Sequence, residues 1–188
     1  MSKFLIVGMG NIGDEYENTR HNIGFSILDA LAKAYDLKFK SEMLAAVAEY
    51  KFKGKTLILI KPSTYVNLSG KSVNYWLQAE KISIEHLLII TDDIALPLGT
   101  LRLKGKGSDG GHNGLKNIRE TLNTADYARL RFGVGNDFFK GRQVNYVLGQ
   151  WNSAEEKLLK PRIKLAGEMV QSFAAIGLQR TMTNYNNK

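Results

Sequence analysis

Apolar residues along this chain recur in two rhythms. Phe4-Leu5-Ile6-Val7 is an unbroken apolar run closed by glycine, which predicts a short strand buried on both faces. From about Asn22 the period lengthens. Ile23, Ile27, Leu28, Leu31 and Tyr35 then fall on one face of a helix. Residues 44–52 and 56–60 read as two strands joined across Lys53-Gly54-Lys55, a hairpin. A helix is expected over 69–79, a strand over 87–90 ending at Thr91-Asp92-Asp93, and an alternating strand over 101–104. Gly114 to Leu122 is helical and Leu130 to Val134 strand-like. Ser153-Ala154-Glu155-Glu156 reads as a capping box opening an amphipathic stretch through Phe173, in which Pro161 is expected to kink or restart the helix. Strands alternating with helices predict one α/β domain over residues 1–188, a mixed and mostly parallel twisted sheet flanked by helices. Such sheets gather active residues beyond the carboxyl ends of their strands. Three segments lie there: after Val7, after Ile90 and around Gly110.

The first of these, Gly8-Met9-Gly10-Asn11-Ile12-Gly13, has the G-x-G-x-x-G form of a dinucleotide fingerprint. The fingerprint needs a helix to open on its last glycine, so that amide N–H groups meet a pyrophosphate. Here the residues that follow include Asp14, Glu15 and Glu17, which repel phosphate, and no apolar period begins before Ile23. The acid that would bind a ribose is also missing; Lys38-Phe39-Lys40 stands near its place. The glycines read instead as a sharp turn that projects Asn11. His21 precedes the first helix; its imidazole suits proton transfer near neutral pH, or it caps the helix or lies on the surface. Asp92 follows an apolar strand, where a carboxylate reaches a crevice or caps a turn, and Asp93 reads as solvent-facing or capping. Gly110 to Lys116 is a glycine-rich entry to a helix, able to hold an anion or to be capped by Asn113. Asn11, Asn67 and Asn113 offer neutral amides suited to a peptide ligand or a developing oxyanion.

Other chemistries are poorly supported. There is no cysteine, the histidines lack metal-binding spacing, and no G-x-S-x-G elbow is present. A histidine-assisted attack by water is what remains. The formal charge of +8, from 26 Lys and Arg against 18 Asp and Glu, favours a polyanionic partner. Arg102 and Lys104 share one face of a strand, as do Arg129 and Arg131. These pairs suit phosphates or form a solvated edge. No apolar run approaches the roughly 20 residues that span a bilayer, and the N-terminus lacks the apolar core of a signal peptide. No membrane association and a cytoplasmic location are expected.

Read together, V-G-M-G-N-I-G, T-R-H-N-I-G, Y-V-N-L-S-G, D-D-I-A-L-P-L-G, G-G-H-N-G-L-K, R-L-R-F-G-V-G and Y-V-L-G resemble, in order and spacing, the bacterial peptidyl-tRNA hydrolases. The resemblance implies a monomeric enzyme, without metal or other cofactor, that cleaves the ester joining a peptide to the 3′-terminal ribose of tRNA. It implies His21 as base and Asp92 as its partner, with Asn11, Asn67 and Asn113 along the peptide site and Asn11 distinguishing blocked from free aminoacyl groups. It further implies Tyr16 and Tyr65 at the tRNA end, and Arg102, Lys104 and Arg131 against tRNA phosphates. Ile12, Thr91 and Ala95 depart from the family's frequent proline, histidine and acid. The rivals are a metal-dependent nuclease using Asp92, Asp93 and His112, a non-catalytic RNA-binding module, and a nucleotide-dependent oxidoreductase.

Overall fold

A computed structural model describes residues 1–188. Seven strands form one mixed sheet: β1 (Lys3–Gly8), β2 (Lys40–Glu42), β3 (Ala45–Phe52), β4 (Lys55–Pro62), β5 (Leu87–Asp93), β6 (Leu101–Lys104) and β7 (Ala128–Gly133), in the order β2-β3-β4-β1-β5-β7-β6. The centre is parallel, with Leu5 opposite both Ile58 and Leu87, and Ile90 opposite Leu130. Antiparallel strands close both sides: β3 and β2 at one, β6 at the other. The β3–β4 turn places Lys53 and Gly54 at φ 47° and 76°, the two left-handed residues of a turn whose twist matches its strands.

Six helices cover the sheet: α1 (Ile23–Ala34), α2 (Ser69–Ala79), α3 (Asn113–Leu122), α4 (Gln143–Val147), α5 (Ser153–Ile176) and α6 (Leu178–Tyr185). Along the parallel strands, residues buried on alternate faces meet different helices. Phe4, Ile6, Leu88, Ile90 and Leu130 pack with α1 and α5 through Ile27, Leu31, Met169 and Phe173. Leu5, Val7, Ile58, Ile60 and Ile89 pack with α2 and α3 through Val73, Trp76, Leu115 and Ile118. Two cores on one sheet explain the unbroken apolar runs.

Three local expectations are corrected. The capping box starts one residue earlier: Asn152 Oδ1 accepts from the Glu155 N–H at 2.8 Å, and Glu155 Oε1 accepts from the Asn152 N–H at 3.0 Å. α5 passes through Pro161 without restarting. Pro161 and Lys157 are both exposed, so the carbonyl that the proline leaves unpaired can meet water. The cap of α3 is His112 rather than Asn113, with His112 Nδ1 accepting from the N–H groups of Gly114 and Leu115 at 3.1 and 3.3 Å. β2, α4 and α6 were not foreseen. β2 is a three-residue strand with no buried side chain, and α4 has none either, so neither has a periodic apolar signal to read.

The glycine turn has a packing cause. A Cβ on Gly8 would lie 2.5 Å from the Gly24 carbonyl oxygen, and one on Gly24 would lie 2.4 Å from the Met9 nitrogen. The start of α1 thus crosses the end of β1 backbone to backbone, and this crossing brings His21 beside Asp92. Gly24→Ala is expected to destabilise the fold by about 1–3 kcal/mol through overpacking. Gly167→Ala is the contrast: its added methyl would make an ordinary 3.6 Å contact with Leu31 inside a helix. Removing a mid-helix glycine there should be worth about 0.5–1 kcal/mol. Thermal melts of the two variants should therefore shift in opposite directions.

Candidate active site

The loops beyond the carboxyl ends of β1, β4 and β5 converge with the entry to α3 and with α4 on one cleft of about 640 Å³. Asn11, Tyr16, His21, Tyr65, Asn67, Asp92, Asn113, Lys104 and Arg131 all line it. Arg102 does not. Its guanidinium donates to the Asn186 carbonyl, while the Asn186 side chain bonds both backbone groups of Leu103, at 2.8 and 3.0 Å. The face that alternation assigns to Arg102 is thus covered near the C-terminus, which also satisfies the open edge of β6.

At the centre, one buried carboxylate lies between two imidazoles. His21 Nδ1 is 2.9 Å from Asp92 Oδ2, and His112 Nε2 is 2.8 Å from Asp92 Oδ1. Backbone geometry fixes the protons. His112 Nδ1 accepts two N–H groups of α3, so the neutral ring carries its hydrogen on Nε2 and donates it to Asp92. An ionised Asp92 only accepts, so His21 donates from Nδ1 and keeps the lone pair of Nε2 for the cleft. Burial alone would push Asp92 up and His21 down. The attraction between the rings and the carboxylate, with the hydrogen bonds between them, outweighs burial in both cases. Asp92 consequently lies well below the ordinary carboxylate range, and His21 above its ordinary value. Thr91 Oγ1 adds a 2.9 Å contact to His112 Nε2.

The amides surround this pair. Asn11 Oδ1 accepts the Val66 N–H at 2.8 Å, which fixes the side-chain flip and leaves its NH₂ donors unused by that bond. Buried Asn22 holds the Asn11 backbone from both sides, accepting its N–H at 2.8 Å and donating to its carbonyl at 2.9 Å. Asn67 and Asn113 are exposed on the cleft wall. Tyr16 and Tyr65 meet edge to face, ring centroids 6.2 Å apart. Asp93 is half-buried, paired with Arg131 and accepting from the Ala95 N–H at 2.7 Å. Arg129 is buried on the same strand, lines the cleft, stacks on Tyr127 at 4.2 Å and forms no ion pair. Asn22 and the α4 wall carry no role in the sequence reading, and His112 carries one only in the rival metal-dependent nuclease. His112 carries a signal in G-G-H-N-G and Asn22 one in T-R-H-N-I-G, but the task of Asn22 shows only in its contacts with the Asn11 backbone.

His21, Asp92 and His112 are also residue types that ligate metals, their atoms within 4.8 Å of one another. In this arrangement the facing atoms already touch through N–H···O bonds. An ion with bonds of about 2.0–2.2 Å would have to displace both, so the arrangement is that of a hydrogen-bonded relay.

An α/β sheet with an oriented histidine–carboxylate pair in an amide-lined cleft defines, as a class, an enzyme equipped for acid–base chemistry. Comparison with known proteins narrows the class. The family model described as peptidyl-tRNA hydrolase matches residues 5–188, and the chain belongs to that family. It is 57% identical over 186 residues to a peptidyl-tRNA hydrolase of Phocaeicola vulgatus, covering 99% of this chain and 100% of that protein. It is 55% identical to one of Cytophaga hutchinsonii, covering 99% of each. The crystal structure of peptidyl-tRNA hydrolase from Acinetobacter baumannii superposes with a TM-score of 0.91 at 34% identity, covering 97% of this chain and 94% of that one.

Proposed function

We propose that this cleft hydrolyses the ester between a peptide, or an N-blocked amino acid, and the 3′-terminal ribose of tRNA. The carrying observation is the 2.9 Å contact between His21 Nδ1 and Asp92 in a member of this family, with the other ring nitrogen left for the cleft. Neutral His21 removes a proton from water as the water attacks the ester carbonyl. Asp92 holds the tautomer and stabilises the imidazolium as it forms. The amides of Asn11, Asn67 and Asn113 meet the peptide groups and the developing oxyanion. A free aminoacyl ester lacks the extra peptide group and leaves some of these amides unpaired, which supplies discrimination. Tyr16 and Tyr65 offer ring faces at the tRNA end, and Lys104 and Arg131 meet its phosphates. Arg102, engaged outside the cleft, reaches phosphate only beyond its rim. The chemistry uses no metal, and the 188 residues act as one domain and as a monomer in the cytoplasm.

N-acetyl-aminoacyl-tRNA incubated with the protein and excess chelator tests this reading. Full release of the blocked amino acid is expected, with much slower release from the same tRNA bearing a free amine. Asn11→Asp is expected to narrow that difference, because a carboxylate attracts the free ammonium. Loss of activity on chelation would overturn the metal-free relay, and an unchanged preference in Asn11→Asp would remove Asn11 from discrimination.

A further inference from the structure

Arg20 directly precedes the proposed base, yet its side chain does not line the cleft. Its guanidinium is held on several sides. Nη2 lies 3.0 Å from Glu155 Oε1, Nη1 donates to the Tyr146 carbonyl at 3.1 Å, and the Tyr146 ring lies under it at 4.2 Å, with Trp151 at 5.2 Å. Both partners of the ion pair are largely withdrawn from water, at 12% and 15% exposure. Glu155 is itself immobilised as the third residue of the α5 capping box. The backbone adds to the clamp: the Arg20 N–H bonds the Gly149 carbonyl at 3.1 Å, Thr19 bridges Gln150, and Gln150 Nε2 donates to the Glu17 carbonyl at 3.1 Å.

What is clamped matters for the cleft. Residues 148–151 continue directly from α4, which holds Tyr146, and Val144, Val147 and Leu148 line the cleft as an apolar wall. α4 has no fully buried residue; it packs on the core through Tyr146, the ring under Arg20, whose hydroxyl donates to the Val134 carbonyl at 2.6 Å. The loop that carries His21 and the segment that carries the wall are therefore joined through Arg20. Arginine suits this task because a planar fork can bond a carboxylate and a carbonyl while stacking on an aromatic ring, which lysine cannot do at once.

We propose that Arg20 is a positioning residue that fixes the α4 wall relative to His21, and that selectivity for the side chain of the esterified amino acid passes through it. The proposal rests on the reading that His21 attacks the acyl ester in this cleft. An apolar wall discriminates between side chains only while it stays close-packed against them, and a fraction of an ångström of slack forfeits contact energy.

The test compares kcat/KM for N-acetyl-phenylalanyl-tRNA and N-acetyl-glycyl-tRNA. Wild type is expected to favour the phenylalanyl ester. Arg20→Met should lower that ratio about tenfold, the order of one or two apolar groups in a pocket, and Arg20→Lys less. Binding of deacylated tRNA and the acid limb of the pH profile should not move, because His21 keeps its contact with Asp92. Gly149→Ala perturbs the clamp with every charge intact, since its methyl would lie 2.7 Å from Arg20 Nη1, and should shift the ratio the same way. A wild-type ratio near one overturns the proposal. So does a wild-type ratio in Arg20→Met whose only change is a lower Tm. Should Arg20→Met not fold, an unchanged ratio in Gly149→Ala overturns it equally. Failure of the underlying reading shows elsewhere, as turnover that survives replacement of His21.

Discussion

Replacing His21 by alanine is expected to lower kcat by about 10²- to 10⁴-fold, the usual worth of a positioned general base, while tRNA affinity stays near wild type. The two readouts separate because the ring contacts Asp92 and the cleft, whereas the cations we propose for the phosphates of the substrate, Lys104 and Arg131, line the cleft from β6 and β7. The expected loss corresponds to about 3–5 kcal/mol of transition-state stabilisation at about 1.36 kcal/mol per decade. Alanine also takes one donor from a buried carboxylate, which is destabilising, so a loss of activity alone would be open to the charge of misfolding. His21→Asn answers that. Its amide can still donate toward Asp92 but cannot act as a base, so a well-folded His21→Asn protein should be as inactive as the alanine variant. Single-turnover hydrolysis of N-acetyl-aminoacyl-tRNA, beside binding of deacylated tRNA, measures both. A folded variant that keeps more than about a tenth of wild-type kcat would exclude His21 as the base, since general-base help is worth at least about 10².

The parts of this architecture that were legible in the sequence are those with a local cause. The central strands are unbroken apolar runs because both faces are covered by helices, and the helices α1, α2 and α3 announce themselves by period. The loops that converge on the cleft were legible because strand ends in such sheets point to one edge. What escaped was set by distant partners. Arg102 has the alternation of a strand cation facing solvent, but its surroundings are decided by Asn186, 84 residues away. The role of Asn22 exists only because the Gly8–Gly24 crossing brings it against Asn11, 11 residues earlier. Pro161 reads as a kink or restart by rule, and the helix runs on through it because the orphaned carbonyl is on the wet side. His112 stood in view within its motif. Its position as second donor to Asp92 depends on α3 docking its first turn beside β5.

Asp92→Asn is the other change expected to cost several decades, and its effect follows from proton placement. His112 must donate from Nε2, because its Nδ1 already accepts the N–H groups of Gly114 and Leu115. An asparagine at position 92 would therefore turn its oxygen toward His112 and its NH₂ toward His21. His21 Nδ1 would then have to accept, moving the ring hydrogen to Nε2, where it blocks proton abstraction from water. The corresponding carboxylate-to-amide exchange in a serine-protease triad lowers kcat about 10⁴-fold by the same inversion, and a loss of about 10³- to 10⁴-fold is expected here. The pH dependence gives a second reading. In the wild type, activity falls as pH drops through the raised His21 value, because the base becomes protonated. Stability runs the other way. A pKa raised on folding contributes stability that is fully present below the ordinary histidine value of 6.5 and is lost as pH rises through the folded value. Asp92, held low, contributes stability above the ordinary carboxylate value of 3.8 that is lost as pH falls toward its depressed folded value. Mild acid should thus stabilise the wild-type enzyme while silencing it. With asparagine at position 92 the carboxylate no longer offsets burial, so the residual activity should carry its acid limb to lower pH, and the stabilisation in mild acid should vanish. An acid limb that stays in place or moves upward in Asp92→Asn would show that some other charge sets the proton affinity of His21.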